Sequence, residues 1–450
     1  AQADVFVATA TRMKLKLEKF MNSDTSTAID SAESALTAVE GEQTLTCALT
    51  NPVADEPGTS LVATLLDSAG AVIATRTVSY SETLEYTTEV AKVKDNRKAI
   101  YTITMDDGYL YSTQKYFEPW FEKYDLRGTT VAVYNCFKDG GGTYTGGVTP
   151  QMNREYFHEA LTKGNFEIGS HSNTHPTLAK NGVDNASEST IRYETLGSIP
   201  TLERAFPGQQ ILTFTAPGNA YSNNIKNILK EGFYAARGGN EGSNDLDTLD
   251  NSTKIGGMYD LKIRRVICGE TYIDGVAQNL FKQHGGVETG KDPGKTPAMM
   301  NKWLDDAVKN GEWVVEMWHT VAWKQNESDT EYYSDGGYRP ISPAYGEEHL
   351  AYASELQKSG DLWVATFNEA TKYQQERLNA VINDVSTRTS RTISLTDNLP
   401  DDIFNYPLTL KSEVPADWNY ATVTQDGKTQ QVEPKLEDGK FYVYYDATPD

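Results

Sequence analysis

The sequence predicts an α/β protein: a parallel barrel of seven or eight strands, flanked by an N-terminal β-sandwich and a small C-terminal β module. Three observations carry this reading. From about Lys98, short apolar runs alternate with amphipathic helical stretches, the pattern of strands and crossover helices in a parallel sheet. Before that point the chain is rich in Thr and Val with partial period-two alternation, and after about Asn379 the helical period disappears. The expected segments are residues 1–96, 97–378 and 379–450.

In the first segment, Thr44 to Thr50, Ser60 to Leu66 and Ala71 to Val78 read as strands, with Ser68-Ala69-Gly70 as a hairpin turn. A short helix is expected around Ala28 to Val39. The barrel begins with a strand over Ala99 to Met105. A helix over Ser112 to Tyr124 follows, placing Tyr116, Phe117, Trp120, Phe121 and Tyr124 on one face. Thr129 to Tyr134 is the next strand. Thr149-Pro150 supplies an N-cap and a first-turn proline for a helix reaching about Lys163, closed by Gly164. Phe166 to Ser170, Ile211 to Thr215, Phe233 to Ala236, Glu312 to Trp318 and Leu362 to Phe367 complete the expected strands. Helices are expected over Met300 to Lys309, over Glu347 to Lys358 and from Asn368. The third segment carries strands at Thr387 to Leu395, Ala421 to Thr424 and Lys440 to Tyr445, with Gln425-Asp426-Gly427 and Glu437-Asp438-Gly439 as turns.

Composition narrows the function. The 450 residues carry 41 basic and 63 acidic side chains, a net charge of −22. So acidic a chain argues against nucleic acid as a partner and suits a neutral or cationic substrate. No window approaches the ~18 uninterrupted apolar residues of a membrane span. Cys47, Cys136 and Cys268 are widely spaced, which fits buried small hydrophobes and not a disulfide framework or a cysteine zinc module. The chain starts at Ala1-Gln2-Ala3 with neither an initiator Met nor a signal segment, as a processed secreted protein or a trimmed one would. It stops at Asp450 directly after a strong strand, as a module cut short of a final hairpin would.

Barrel enzymes gather their chemistry at the carboxyl ends of the strands. There the sequence offers Asp106-Asp107-Gly108, Asn135, His171 and His175, Thr215 to Asn219, Arg237 and His319. His171 and His175 lie four residues apart, and Pro176 disfavours helix at His175, so a tight turn is expected to bring both imidazoles to one side. Two His with one carboxylate form the three-ligand set of a catalytic zinc. Asp-Gly alone commonly marks a turn. After an apolar strand, however, two adjacent carboxylates point different ways, so that one binds a metal while the other takes a proton. His158 reads as structural, whereas His284 and His349 show no matching partner in the sequence. The stretch from Val321 to Pro343 carries Trp323, Tyr332, Tyr333 and Tyr338, which either wall a glycan site or pack a loop onto the barrel.

Thr104-Met105-Asp106-Asp107-Gly108, His171 to His175 and Met317-Trp318-His319 together resemble the TFDDG, HSxxH and LxH motifs of NodB-type polysaccharide deacetylases, carbohydrate esterase family 4. The resemblance spans residues ~98 to 378. It implies a deformed (β/α) barrel, one divalent metal (Zn²⁺ first, Co²⁺ or another first-row ion also admitted) and hydrolysis of acetyl groups on sugars. By the same match Asp107, His171 and His175 are the metal ligands, Asp106 the general base and His319 the general acid. The third motif departs from the family's RxPY: Phe214-Thr215-Ala216-Pro217-Gly218-Asn219 is closer to an FxxPxG variant. By analogy, Pro217 and Gly218 border the substrate, with a backbone N–H near Gly218 facing the oxyanion. Arg237 is the candidate for the missing cation beside Asp106, and its removal is expected to move the acidic limb of the pH–rate profile.

The expected function is metal-dependent hydrolysis of acetyl groups, N-acetyl before O-acetyl, from an acetylated glycan by a secreted or cell-surface protein. A non-catalytic carbohydrate-binding protein on the same scaffold and a hydrolase of non-sugar C–N bonds are the alternatives.

Overall fold

A computed structural model describes residues 2–7, 11–21, 26–38, 41–49, 59–79, 86–137, 154–266, 296–321, 341–386 and 390–449. The expected aromatic stretch around Trp323, together with Cys268, His284 and Thr149-Pro150, lies outside these residues. The chain forms two compact units: residues 1–89 with 381–395 and 412–443, and residues 90–380 with 396–411 and 444–450.

The larger unit is a barrel. Its strands are β1 (Ala99–Asp106), β2 (Gly128–Ala132), β3 (Phe166–Ser170), β4 (Thr213–Thr215), β5 (Ala235–Glu241), β6 (Leu261–Arg265) and β7 (Glu312–Trp318). They pair in that order, all parallel, and β7 returns to β1 to close the ring. β8 (Leu362–Val364) pairs with the first residues of β1, through Leu362↔Ala99 and Val364↔Tyr101. β2 takes the same edge of β1 only from Thr104 onward. The eighth strand is thus wedged in at the base of a seven-stranded ring, a deformed barrel of the general kind the resemblance implied.

Around the ring lie α1 (Glu118–Tyr124), α2 (Arg154–Thr162), α3 (Glu188–Glu194), α4 (Ser198–Ala205), α5 (Asn223–Leu229), α6 (Pro297–Asn310), α7 (Pro343–Lys358) and α8 (Phe367–Asn379). Their ends follow local chemistry. Thr296 caps α6 by accepting from the Met299 N–H at 3.3 Å, with Pro297 in the first turn. Thr366 and Glu369 form a reciprocal capping box on α8. The helix expected over Ser112 to Tyr124 is not uniform: residues Thr113–Phe117 are wound as a π-helical turn before α1. The face still forms as expected. Phe117 meets the Trp318 ring edge-on at 5.6 Å, and Phe121 packs on Phe166 at 5.0 Å. Burying a side chain of this size stabilises by about 1.5–3 kcal/mol. Strand β6 and helices α3, α4 and α5 were not anticipated; the Lys and Arg residues of Leu261–Arg265 hide the apolar alternation of Leu261 and Ile263, both of which are buried.

In the smaller unit, a four-stranded antiparallel sheet runs in the order Asp30–Ala38, Thr11–Met21, Thr59–Leu66, Val72–Ser79. Leu15, Leu17, Leu65 and Cys47 form its buried cluster. The helix expected over Ala28 to Val39 is therefore a strand, paired residue for residue from Thr11↔Ala38 to Lys19↔Asp30. Exposure alternates along residues 30–35, a period of two that an Ala- and Ser-rich composition obscures. The Asp426-Gly427 and Glu437-Asp438-Gly439 turns form as expected, with Asp and Gly both at positive φ, the requirement of a two-residue hairpin loop.

Candidate active site

Register places the site. Ser170 stands opposite Phe214, Thr215 opposite Arg237, Asp106 opposite Val131, and Trp318 opposite Met105. His171 therefore leaves its strand beside Thr215, and His319 leaves its strand beside Asp106. Arg237 lies within β5, not after it, because that strand begins at Ala235 and runs on to Glu241.

Six expected polar residues meet at this level. His175 Nε2 is 3.1 Å from His171 Nε2, and Asp107 Oδ1 is 3.5 Å from the first and 3.7 Å from the second. Asp106 Oδ2 is 3.9 Å from both His171 Nε2 and His319 Nε2. The other Asp106 oxygen, Oδ1, accepts from Arg237 Nη2. Asp106, Asp107, His171 and His319 are buried, and Arg237 is wholly so.

The turn carrying the two histidines is held in an uncommon shape. Ser172 and His175 have φ of 72° and 63°, in the left-handed region, as does Asp107 at 66°. Ser172 Oγ accepts from the His175 N–H at 2.9 Å. The buried carboxylate of Glu194 on α3 accepts from the backbone N–H groups of Asn173 and Thr174 at 3.0 and 2.8 Å, and from the Thr174 hydroxyl at 2.6 Å. These bonds offset the cost of the backbone conformation, of order 1–3 kcal/mol per residue. Glu194 was not legible in the sequence, since nothing in a short polar helix marks which carboxylate turns inward.

His171 presents its ligand atom in the protonation state a metal needs. His171 Nδ1 lies 2.9 Å from the Thr215 carbonyl oxygen and 2.7 Å from its hydroxyl. A carbonyl only accepts, so Nδ1 carries the proton and Nε2 presents its lone pair to Asp107 and His175. Burial, then the neighbouring His175, holds the His171 imidazole well below its usual range; burial also lowers that of His175. Ligand atoms about 2.1 Å from a common tetrahedral centre stand about 3.4 Å apart. The three separations of 3.1, 3.5 and 3.7 Å bracket that value, and the three residues form a cluster able to hold a metal ion.

These groups sit in a cavity of about 940 Å³. Gly218 lines it, with a φ of 65°, while Pro217 is buried and does not line it. Asn219 lines the cavity and directs its amide onto Met317 Sδ at 3.3 Å. Asn135 is buried in a short helix after β2 and is not among the lining residues. His158 caps a structural contact as anticipated, with Nε2 2.8 Å from the Ala205 carbonyl oxygen. His349, which showed no partner in the sequence, has three among the described residues: Glu316 Oε1 at 2.9 Å, Asn301 Oδ1 at 2.8 Å and the Tyr101 hydroxyl at 3.4 Å. Its partners lie on β1, β7 and α6, a juxtaposition that sequence spacing does not reveal.

A closed parallel barrel bearing an Asp-His-His cluster at the carboxyl ends of its strands defines the class to which these residues belong. Residues 92–236 match the family model described as polysaccharide deacetylase, so over that segment the chain is similar to that family. A curated relative, a gellan lyase of Bacillus sp, is 24% identical over 367 residues, covering 80% of this chain and 13% of that protein. The chain thus spans about an eighth of the length of the relative it matches. Similar solved structures include a family 4 acetyl xylan esterase from Clostridium thermocellum in complex with a cobalt ion: 16% identity, 62% of this chain and 91% of that chain, TM-score 0.31. They also include a family 4 carbohydrate esterase from Streptomyces lividans in complex with acetate, with 12% identity, 58% and 90% coverage and a TM-score of 0.32. A third is a family 4 pseudoenzyme from Bacillus anthracis, with 12% identity, 61% and 66% coverage and a TM-score of 0.33. Likenesses this weak carry no argument about the chemistry of this chain. Among the described residues, no helix is long and apolar enough to cross a membrane.

Proposed function

We propose that this protein removes acetyl groups, N-acetyl in preference to O-acetyl, from an extracellular glycan by metal-dependent hydrolysis. The single observation carrying the proposal is that Asp106 Oδ2 lies 3.9 Å from both His171 and His319, at the edge of the Asp107-His171-His175 cluster. A sugar-binding site needs neither an acid nor a base there, so this arrangement favours hydrolysis over a non-catalytic role. The family match supports an acyl sugar over other C–N substrates, and the relative named as a gellan lyase supports a polysaccharide, acted on by a secreted or cell-surface protein.

Asp107 Oδ1, His171 Nε2 and His175 Nε2 would hold the metal; the nitrogen-rich donor set suits Zn²⁺ and admits Co²⁺. Such an ion, when bound, polarises the acyl carbonyl and lowers the pKa of its water to about 7. Arg237 holds Asp106 Oδ1 and leaves Oδ2 as the oxygen that takes the proton from water attacking the acyl carbon. As the bond from the acyl carbon to nitrogen breaks, His319 supplies the proton that lets the amine depart. Gly218, which lines the cavity, is the candidate to offer its N–H to the developing oxyanion. The test is acetate release from acetylated chitooligosaccharides, peptidoglycan and xylan by protein stripped with chelator and reloaded with Zn²⁺ or Co²⁺. Asp106→Asn should lower turnover about 10²–10⁴-fold with metal content unchanged. Release of no acetate from any of these by the metal-loaded wild type refutes the proposal.

A further inference from the structure

The cavity that holds the reacting groups also carries polar side chains the reaction does not use. Asp260 is 2% exposed. Its Oδ2 accepts from Lys226 Nζ at 2.7 Å, while Oδ1 makes no hydrogen bond within ordinary geometry among the described residues. Asn240 places its side-chain amide beside the same carboxylate, and both Asp260 and Asn240 line the cavity. The carboxylate sits directly over Gly238: a Cβ built there would come within 2.4 Å of Asp260 Oδ1 and 3.0 Å of the Tyr221 ring. Only glycine at this position lets the two approach so closely. Gly238 follows Arg237, and Tyr221 donates its hydroxyl to the Arg237 carbonyl oxygen at 2.7 Å. The wall is thus built onto the residue that holds Asp106.

We infer that Asp260, with Asn240 and Tyr221 beside it, is a subsite for a neutral, hydroxyl-bearing sugar ring of the substrate. This rests on the glycan reading above and adds to it the residues that hold the sugar. The argument is chemical. A buried carboxylate oxygen without a donor is costly unless a ligand hydroxyl supplies one, and a hydrogen bond to a charged acceptor is among the stronger kinds. A carboxylate, an amide and an aromatic ring together suit a sugar, whose hydroxyls donate and accept while its C–H face packs on an aromatic surface. An anionic sugar is a poor fit, because both cations lining this wall are engaged: Lys226 by Asp260, and Arg265 by Glu241 at 3.3 Å and by the Gly239 carbonyl.

The experiment is calorimetric titration of the full chain with neutral tetrasaccharides of xylose and glucose, alongside acetate release from acetylated oligosaccharides. The wild type should bind at least one tetrasaccharide, and Asp260→Asn should bind it about 10-fold or more weakly. On an acetylated oligosaccharide that is turned over, the same substitution should raise KM by a similar factor with kcat within about 3-fold. If Asp260→Asn fails to fold, Asn240→Ala takes its place, with a smaller weakening in the same direction. Unchanged binding in the folded variant, or a loss confined to kcat, overturns the subsite. Tetrasaccharide binding that depends on Asp260 without acetate release leaves the subsite standing and removes the hydrolytic reading instead.

Discussion

Arg237 Nη2 donates to Asp106 Oδ1 with both side chains inside the protein. The pair joins the middle of β5 to the end of β1, across the mouth of the barrel. Its consequence is that one oxygen of the carboxylate is tied and the other faces His171 and His319. Arg237→Gln should therefore disturb stability and turnover together. Removing one partner of a buried ion pair costs about 3–5 kcal/mol. A thermal melt of the metal-free variant should show a clearly lowered Tm, and acetate release should fall at least about 10-fold. A variant melting with the wild type would show that the pair does not hold β5 to β1.

Thr215 touches His171 through both its carbonyl oxygen and its hydroxyl. Thr215→Val removes only the hydroxyl contact and keeps the shape of the side chain. Loosening a group that orients a metal-ligating histidine usually costs 10–100-fold in metal affinity. Competition with a chromophoric chelator should place the variant about 10-fold weaker for Zn²⁺ than the wild type, while the metal-free proteins melt within a few degrees of each other.

Glu167 on β3 accepts from the Thr129 hydroxyl at 2.6 Å and the Asn368 N–H at 2.7 Å. Burial nonetheless raises its carboxyl from 4.5 to about 7. The folded protein therefore holds a proton there that the unfolded chain has lost, so stability falls as pH rises from about 4.5 through about 7. Glu167→Gln keeps the acceptor oxygen without the charge. Urea denaturation at pH 8 should show the variant more stable than the wild type by about 1–3 kcal/mol, and at pH 4 the gap should close. Equal pH dependence in the two proteins would remove Glu167 as its source.

Gly128 opens β2 against the ring of Phe121. A Cβ there would lie 2.9 Å from Phe121 Cζ and 3.1 Å from the Ile103 carbonyl oxygen. One contact is with backbone and the other with a ring fixed between Phe117 and Phe166, so neither yields easily. Gly128→Ala should cost about 1–3 kcal/mol in denaturant, the usual range for overpacking. Restoration of stability by Phe121→Leu in the same chain would locate the clash at that ring.

The barrel was legible because its main strands are short apolar runs with helical periods between them, a local signal that needs no partner. Ala99–Asp106, Phe166–Ser170 and Glu312–Trp318 were readable for this reason, and the motifs at their ends came with them. Asp106, Asp107, His171, His175 and His319 could be singled out because each sits where a predicted strand stops. Asp260 could not. It precedes its strand, and only the stagger of β5 and β6, which sets Arg237 opposite Leu261, lifts it to the level of the site. Glu194 and Lys226 were hidden for a related reason, since which charged residue of an exposed-looking helix turns inward is decided by what packs against it.

The order of apolar and polar residues along the chain was enough to specify a parallel barrel and the set of acids and imidazoles at its mouth, because strand period and strand ends are properties of neighbouring residues. Distances among those groups, the pairing of Arg237 with Asp106, the protonated Nδ1 of His171 and the wall at Asp260 are properties of strands that meet after closure. Those features depend on shear and register, which are settled only when β7 finds β1 and the whole ring packs at once.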